Sequence, residues 1–117
     1  MTKAMYLQRG EALDYTNATN DTIEAGSVIT IGERIGIAGT DIEPGAVGSI
    51  HVVGCFEIAK SEASEVIAQG ASVYFDGTGI TCSADDGGET PTAYAKAGYA
   101  AAASSATDTA VLVKLNG

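Results

Sequence analysis

Tryptophan is absent from this sequence, histidine occurs once, cysteine twice, and six basic side chains face fifteen acidic ones. Each scarcity excludes something. A net charge of -9 and a pI near 4.2 repel phosphate backbones and anionic headgroups, so neither nucleic acid nor a membrane surface is an expected partner. The acidic excess is otherwise read as a contribution to solubility. The apolar runs, the alanine run Ala100 to Ala103 among them, fall far short of the ~20 residues that a spanning helix needs. The segment Met1 to Arg9 has a lysine but no apolar signal core or cleavage site, and it is read as no secretory signal. Cys55 and Cys82 have neither the CxxC spacing of a zinc site nor the density of a disulfide framework; Cys55, in an apolar run, is expected to be a small buried hydrophobe.

What the sequence does contain is glycine. Fifteen glycines punctuate short runs rich in valine and isoleucine, the pattern of an all-β domain. The 117 residues suit one domain, 1–117; hydrophobic residues make up 45% and charged residues 18%, a globular composition. The predicted fold is a small β-barrel-like or sandwich domain with short hairpins and at most one short helix, and with 1–9 as an N-terminal arm. No repeat of 20 to 50 residues is visible.

Ser27–Ile31 and Arg34–Ala38 flank Gly32-Glu33 as a hairpin with a type II′ turn. Glu43-Pro44-Gly45-Ala46 reads as a type II turn, with a strand beginning near Val47 that places Gly48, Ile50 and Val52 on one side. Gly54 suggests a bend before Cys55–Ala59, where Phe56 and Ile58 share a face. Ser61–Gln69 permits one or two helical turns, or a loop. Ser72–Phe75 and Gly79–Ser83 form a second hairpin around Asp76-Gly77-Thr78, and Asp85–Pro91 reads as an exposed loop. The alanines of Thr92 to Ala106 lean to helix by propensity, although Gly98 would cost about 1 kcal/mol inside one. Val111, Val113 and Leu115 lie on one face of a final core strand.

No catalytic set is apparent, and no cofactor is expected. His51 sits mid-strand without a serine or cysteine motif beside it and reads as a surface or edge residue. Neither phosphate-binding glycine motif is present. The acids Asp21, Glu24, Glu33, Asp41, Glu43, Asp76, Asp85, Asp86 and Glu89 fall in turns, as a solvated rim does; Asp85, Asp86 and Glu89 lack EF-hand spacing. Asn17-Ala18-Thr19 matches a glycosylation sequon, read as accidental.

An ordered series of elements carries a resemblance: Ile23–Val28, Ile35–Ala38, Asp41–Gly48, Gly54–Lys60, Gly70–Asp76, Ala97–Ala100 and Val111–Gly117. From Leu13 to Gly117 the chain resembles the capsid cement, or head decoration, proteins of tailed phages. Cys55 and Ala59 depart from it, where the family usually has valine and proline. The resemblance implies a barrel-like β fold in which Ala95 to Ala100 is a strand, and no enzymatic activity. It further implies a virion protein made in the bacterial host cytoplasm that sits on the outer surface of an expanded capsid. There it would clamp subunits of the major capsid protein, often as a homotrimer. Strand addition to a capsid sheet makes the apolar arm Thr2, Lys3, Ala4, Met5, Tyr6 and Leu7 the candidate capsid-binding segment, against a frayed end or an ordinary first strand. The alternative function is a small carbohydrate- or peptide-binding β-barrel module of a phage tail or host surface, using Tyr74, Phe75, Tyr94 and Tyr99. The lack of tryptophan weakens that alternative.

Overall fold

The computed structural model describes residues 2–116. Met1, the first residue of the expected arm, and Gly117, the last of the resembling segments, lie outside them. Among the described residues nine strands run in chain order: β1 (Ala12–Thr16), β2 (Val28–Ile31), β3 (Arg34–Ala38), β4 (Val47–His51), β5 (Cys55–Ala59), β6 (Ser72–Phe75), β7 (Ile80–Thr81), β8 (Ala95–Ala100) and β9 (Ala110–Leu115). They join in one mixed sheet that curls into a half-barrel.

The β2–β3 hairpin forms around Gly32, whose φ of 61° fits the type II′ turn, and Ala46 N donates to Glu43 O at 3.0 Å to close the type II turn before β4. Of the two readings left open for Ser61–Gln69 the loop holds, without a helical turn, and Ala95–Ala100 is strand β8, as the resemblance implies and against the helical lean of its alanines. Intrinsic propensity gives way there to burial, because Ala95, Ala97 and Ala100 are small enough to sit in the core between β6 and β9. Gly98 is a second reason. A Cβ at this residue would stand 1.9 Å from Lys114 O, so only glycine lets β8 approach β9 this closely.

Contrary to the reading of the sequence, the chain is internally duplicated. In the first half β1 pairs with β4, β4 with β3 and β3 with β2; in the second, β5 pairs with β9, β9 with β8 and β8 with β6. The registers coincide. Leu13 lies opposite Ile50 as Phe56 lies opposite Val113, and Ala38 opposite Ile50 as Ala100 opposite Val113. The hydrogen bonds outside the ladders repeat as well. Gly26 N donates to Ala38 O and Gly70 N to Ala100 O; Gly39 N to Ser49 O and Ala101 N to Leu112 O; Val52 N to Glu11 O and Leu115 N to Gly54 O. The isolated bridge Ile23–Ile42 recurs as Ile67–Ser104. The halves therefore span 11–52 and 54–115. They meet where equivalent residues, Arg34 and Lys96, lie side by side in a parallel bridge. The second half differs in its β6–β8 connection, where residues 76–94 replace the Gly32-Glu33 turn and contribute β7.

Each half has its own apolar core. Ile29, Ala38, Ile42, Ile50 and Val52 cluster in the first, while Ile58, Ile67, Val73, Ile80, Val111, Val113 and Leu115 gather in the second together with Ile35 and Ile37 from β3. Asn116 ties the halves: its Nδ2 donates to Val52 O at 2.7 Å and to Ile35 O at 3.2 Å. Cys55 is exposed, correcting its expected burial, because the alternation that turns Phe56 and Ile58 inward turns Cys55, Glu57 and Ala59 outward. The two cysteines are free thiols.

Candidate functional site

The residues expected to bind a partner form no part of the sheet. Thr2 to Gly10 pair with no strand, and the apolar trio of the arm stands in solvent, with Met5 81%, Tyr6 78% and Leu7 83% exposed. Physical anchoring begins at Glu11, whose carbonyl accepts from Val52 N before β1 starts at Ala12. The arm also concentrates positive charge. Lys3 and Arg9 are two of the six basic residues of the chain, and no acid precedes Glu11; Arg9 and Glu11 form an exposed ion pair at 3.0 Å, of the kind that contributes little to stability.

Elsewhere exposed apolar side chains are dispersed among polar ones. On the outer face of β1 and β4, Val47 stands opposite Thr16, next to the Asp14–Ser49 pair. On the outer face of β5, β9 and β8, Leu112 stands opposite Glu57, while Lys114 lies between Cys55 and Tyr99. Three consecutive apolar residues in solvent, as in the arm, occur on neither face. Of the aromatic residues considered for carbohydrate, Phe75 packs against the second core, Tyr74 and Tyr94 are half-buried, and Tyr99 alone is exposed. They form no common platform.

Several of the turn-borne acids, Asp41, Asp76, Asp85 and Asp86, accept bonds from the backbone. Asp76 Oδ1 accepts from Thr78 N and Gly79 N, both at 2.9 Å, while Oδ2 takes the Ser61 hydroxyl. Burial works to raise the pKa of Asp76, yet the bonds from Ser61, Gly79 and Thr78 together outweigh it and hold the carboxyl below its ordinary value. Backbone N–H groups of Gly88 and Thr92 lower Asp86 in the same way, and Ser105 lowers Asp108. These carboxylates are committed to closing their own turns. Among the described residues no group of three or more His, Cys, Asp or Glu stands together as a metal site would require. His51 is exposed and its ring tilts against Phe56, with centroids 5.9 Å apart. Asn17 is fully buried and donates through Nδ2 to Asp21 O and Ile42 O, so the sequon is inaccessible in the folded chain.

Two features escaped the sequence reading. Among the described residues, β2 has no partner on its outer edge, and a cavity of about 460 Å³ lies along that edge, lined by Tyr15, Ile23, Glu24, Val28, Ile29 and Thr30 among others. A second cavity, of about 410 Å³, adjoins Ser27 and Val28 on the side of β5. Single residues gave no signal for either; both arise from which strand ends without a neighbour.

The fold defines a small all-β domain, with several turn acids bonded to backbone N–H groups and an apolar segment outside the sheet. Residues 7–115 match the family model of the phage cement proteins, and the chain belongs to that family. The membership makes it a structural, capsid-associated component of a phage virion. Neither a search of curated proteins nor one of solved structures returns a match.

Proposed function

We propose that this protein binds the outer surface of an expanded phage capsid and stabilises it by clamping neighbouring subunits of the major capsid protein, as a homotrimer and without enzymatic activity. The observation that carries this reading is the arm. A segment with Met5, Tyr6 and Leu7 each about four-fifths exposed leaves contiguous apolar surface without cover, which is the signature of a surface awaiting a partner. Thr2, Lys3, Ala4, Met5, Tyr6 and Leu7 make the capsid contact by adding a strand to a sheet of the shell, where main-chain bonds give affinity and alternate side chains give specificity. The duplicated sheet, tied across its halves by Asn116, is the body that the arm anchors.

Co-sedimentation with purified shells tests the reading. The full chain pellets with expanded shells, and the chain lacking residues 2–9 remains in the supernatant. Equal pelleting of both forms would remove the arm from the contact, and pelleting of neither would remove the capsid role.

A further inference from the structure

The duplication gives the outer edge of β2 a meaning. In the second half the equivalent strand, β6, is covered by β7: Tyr74 pairs with Thr81 and Phe75 with Ile80. Ile80 also bridges Lys60 in parallel, its carbonyl accepting from Ser61 N, and its buried side chain joins the cluster that contains Ile58, Ile67 and Val73. By register, the first-half counterparts of Ile58, Ile67 and Val73 are Tyr15, Ile23 and Ile29. All three line the cavity of about 460 Å³. The cavity is thus the place that β7 and Ile80 fill in the other half, and the short Gly32-Glu33 turn supplies no strand to fill it.

The backbone along this edge is ready for a strand. Ala38 N donates to Ser27 O, so in the alternating antiparallel ladder the next hydrogen-bonded pairs are Ile29–Gly36 and Ile31–Arg34, and the N–H and C=O groups of Val28 and Thr30 face away from β3. The edge is short, but Val28-Ile29-Thr30-Ile31 carries neither the charge nor the proline that guards many edges.

We propose that the outer edge of β2 and its cavity accept the N-terminal arm of a second copy of this chain, with one apolar side chain of the arm, Leu7 or Met5, occupying the place of Ile80. Charge selects this occupant. The cavity is rimmed by Glu24 on a loop that also carries Asp21, and the arm brings Lys3 and Arg9 on either side of its apolar core into an otherwise strongly acidic molecule. Geometry favours a neighbour's arm. The arm joins β1 at Ala12, whereas the cavity adjoins Tyr15 and the Thr19–Glu24 loop at the opposite end of that strand. Passing an arm from each copy to the next is a heterologous contact, which closes into a ring when the rotation permits, as a trimer does. The inference rests on the reading of the arm as a strand donor and concerns the protein off the shell; on assembly the capsid takes the arm over, and the trimer proposed on the shell is held by other contacts of the sheet.

A synthetic peptide of residues 2–9, titrated into the chain lacking those residues, reads the acceptor directly. Saturable binding is expected, weakened about tenfold or more by the double change Met5→Asp, Leu7→Asp in the peptide. Thr30→Pro in the protein, which removes an outward N–H and leaves the hydrogen-bonded β2–β3 pairs, is expected to abolish it with the circular dichroism unchanged. Should Thr30→Pro not fold, the doubly changed peptide alone carries the test. Light scattering on the full chain then separates the sources: association lost on truncation supports exchange between copies. A peptide that does not bind overturns the proposal. So does a full chain that stays monomeric at every concentration while the peptide binds, which is the result of an arm folded back on its own edge. Shell binding is measured separately, so either failure leaves the capsid reading to its own test.

Discussion

Asn17 and Lys60 occupy the same place in the two halves of the sheet. Asn17 N donates to Ala46 O and Lys60 N to Thr109 O; both side chains are buried, and each nitrogen head bonds two carbonyls, those of Asp21 and Ile42 in one half and of Glu65 and Ser105 in the other. Different residues perform one task, pinning the chain that leaves β1 or β5 to the turn before β4 or β9. Asn17→Ala leaves two carbonyls without that donor and is expected to cost about 1–3 kcal/mol. Lys60→Met removes bonds to a charged donor and is expected to cost about 1.5–3 kcal/mol. The sites lie in separate halves, so urea unfolding of the double variant should return close to the sum.

The equivalent glycines Gly36 and Gly98 differ in what a methyl group would meet. At Gly36 it is the movable end of Ile50, with Cδ1 at 2.9 Å; at Gly98 it is the backbone oxygen of Lys114 at 1.9 Å, with φ at 142°. Gly98→Ala is expected to cost more than about 4 kcal/mol, or to prevent folding, and Gly36→Ala about 1–3 kcal/mol. Soluble yield and denaturant midpoints of the two variants check the ranking.

The depressed pKa of Asp76 makes the β6–β7 turn acid-sensitive. A carboxyl whose folded pKa lies below the unfolded value of about 3.9 contributes stability that is present above that value and is lost as pH falls through the folded pKa. Thermal melts of the native chain and Asp76→Asn should differ at neutral pH and converge as the pH falls through the folded pKa of Asp76.

Cys55 and Cys82 are both expected to react with a thiol reagent in the folded protein, without denaturant. Burial, and then the charge of Glu65, raises the pKa of Cys82, so its rate should fall below that of a free thiol at neutral pH and climb as pH rises. Mass spectrometry after timed labelling resolves the two sites.

Local turn chemistry made much of the fold legible. Gly32-Glu33, Pro44-Gly45 and Asp76-Gly77 each specify a backbone path, and the alternation of Val111, Val113 and Leu115 specifies an inward face. Strand β8 was illegible from propensity because alanine records what an isolated helix prefers and not how narrow the gap between β6 and β9 is. The duplication was hidden for a related reason. Its equivalence lives in backbone hydrogen bonds, which most side chains can make, and the spacing between equivalent residues changes at residues 76–94; Ile23 and Ile67, Gly26 and Gly70, and Ala38 and Ala100 are among the few identical pairs. The apolar character of Ala4 to Leu7 is plain in the composition, whereas the open place beside β2 becomes visible only when that strand is compared with β6.

Clamping is tested most directly by heating. Expanded shells, bare and saturated with this protein, are warmed in parallel and their loss of integrity is followed by light scattering. The decorated shells are predicted to come apart at a higher temperature, and the chain lacking residues 2–9 should give no such shift. A saturated shell that fails at the same temperature as a bare one would contradict the account.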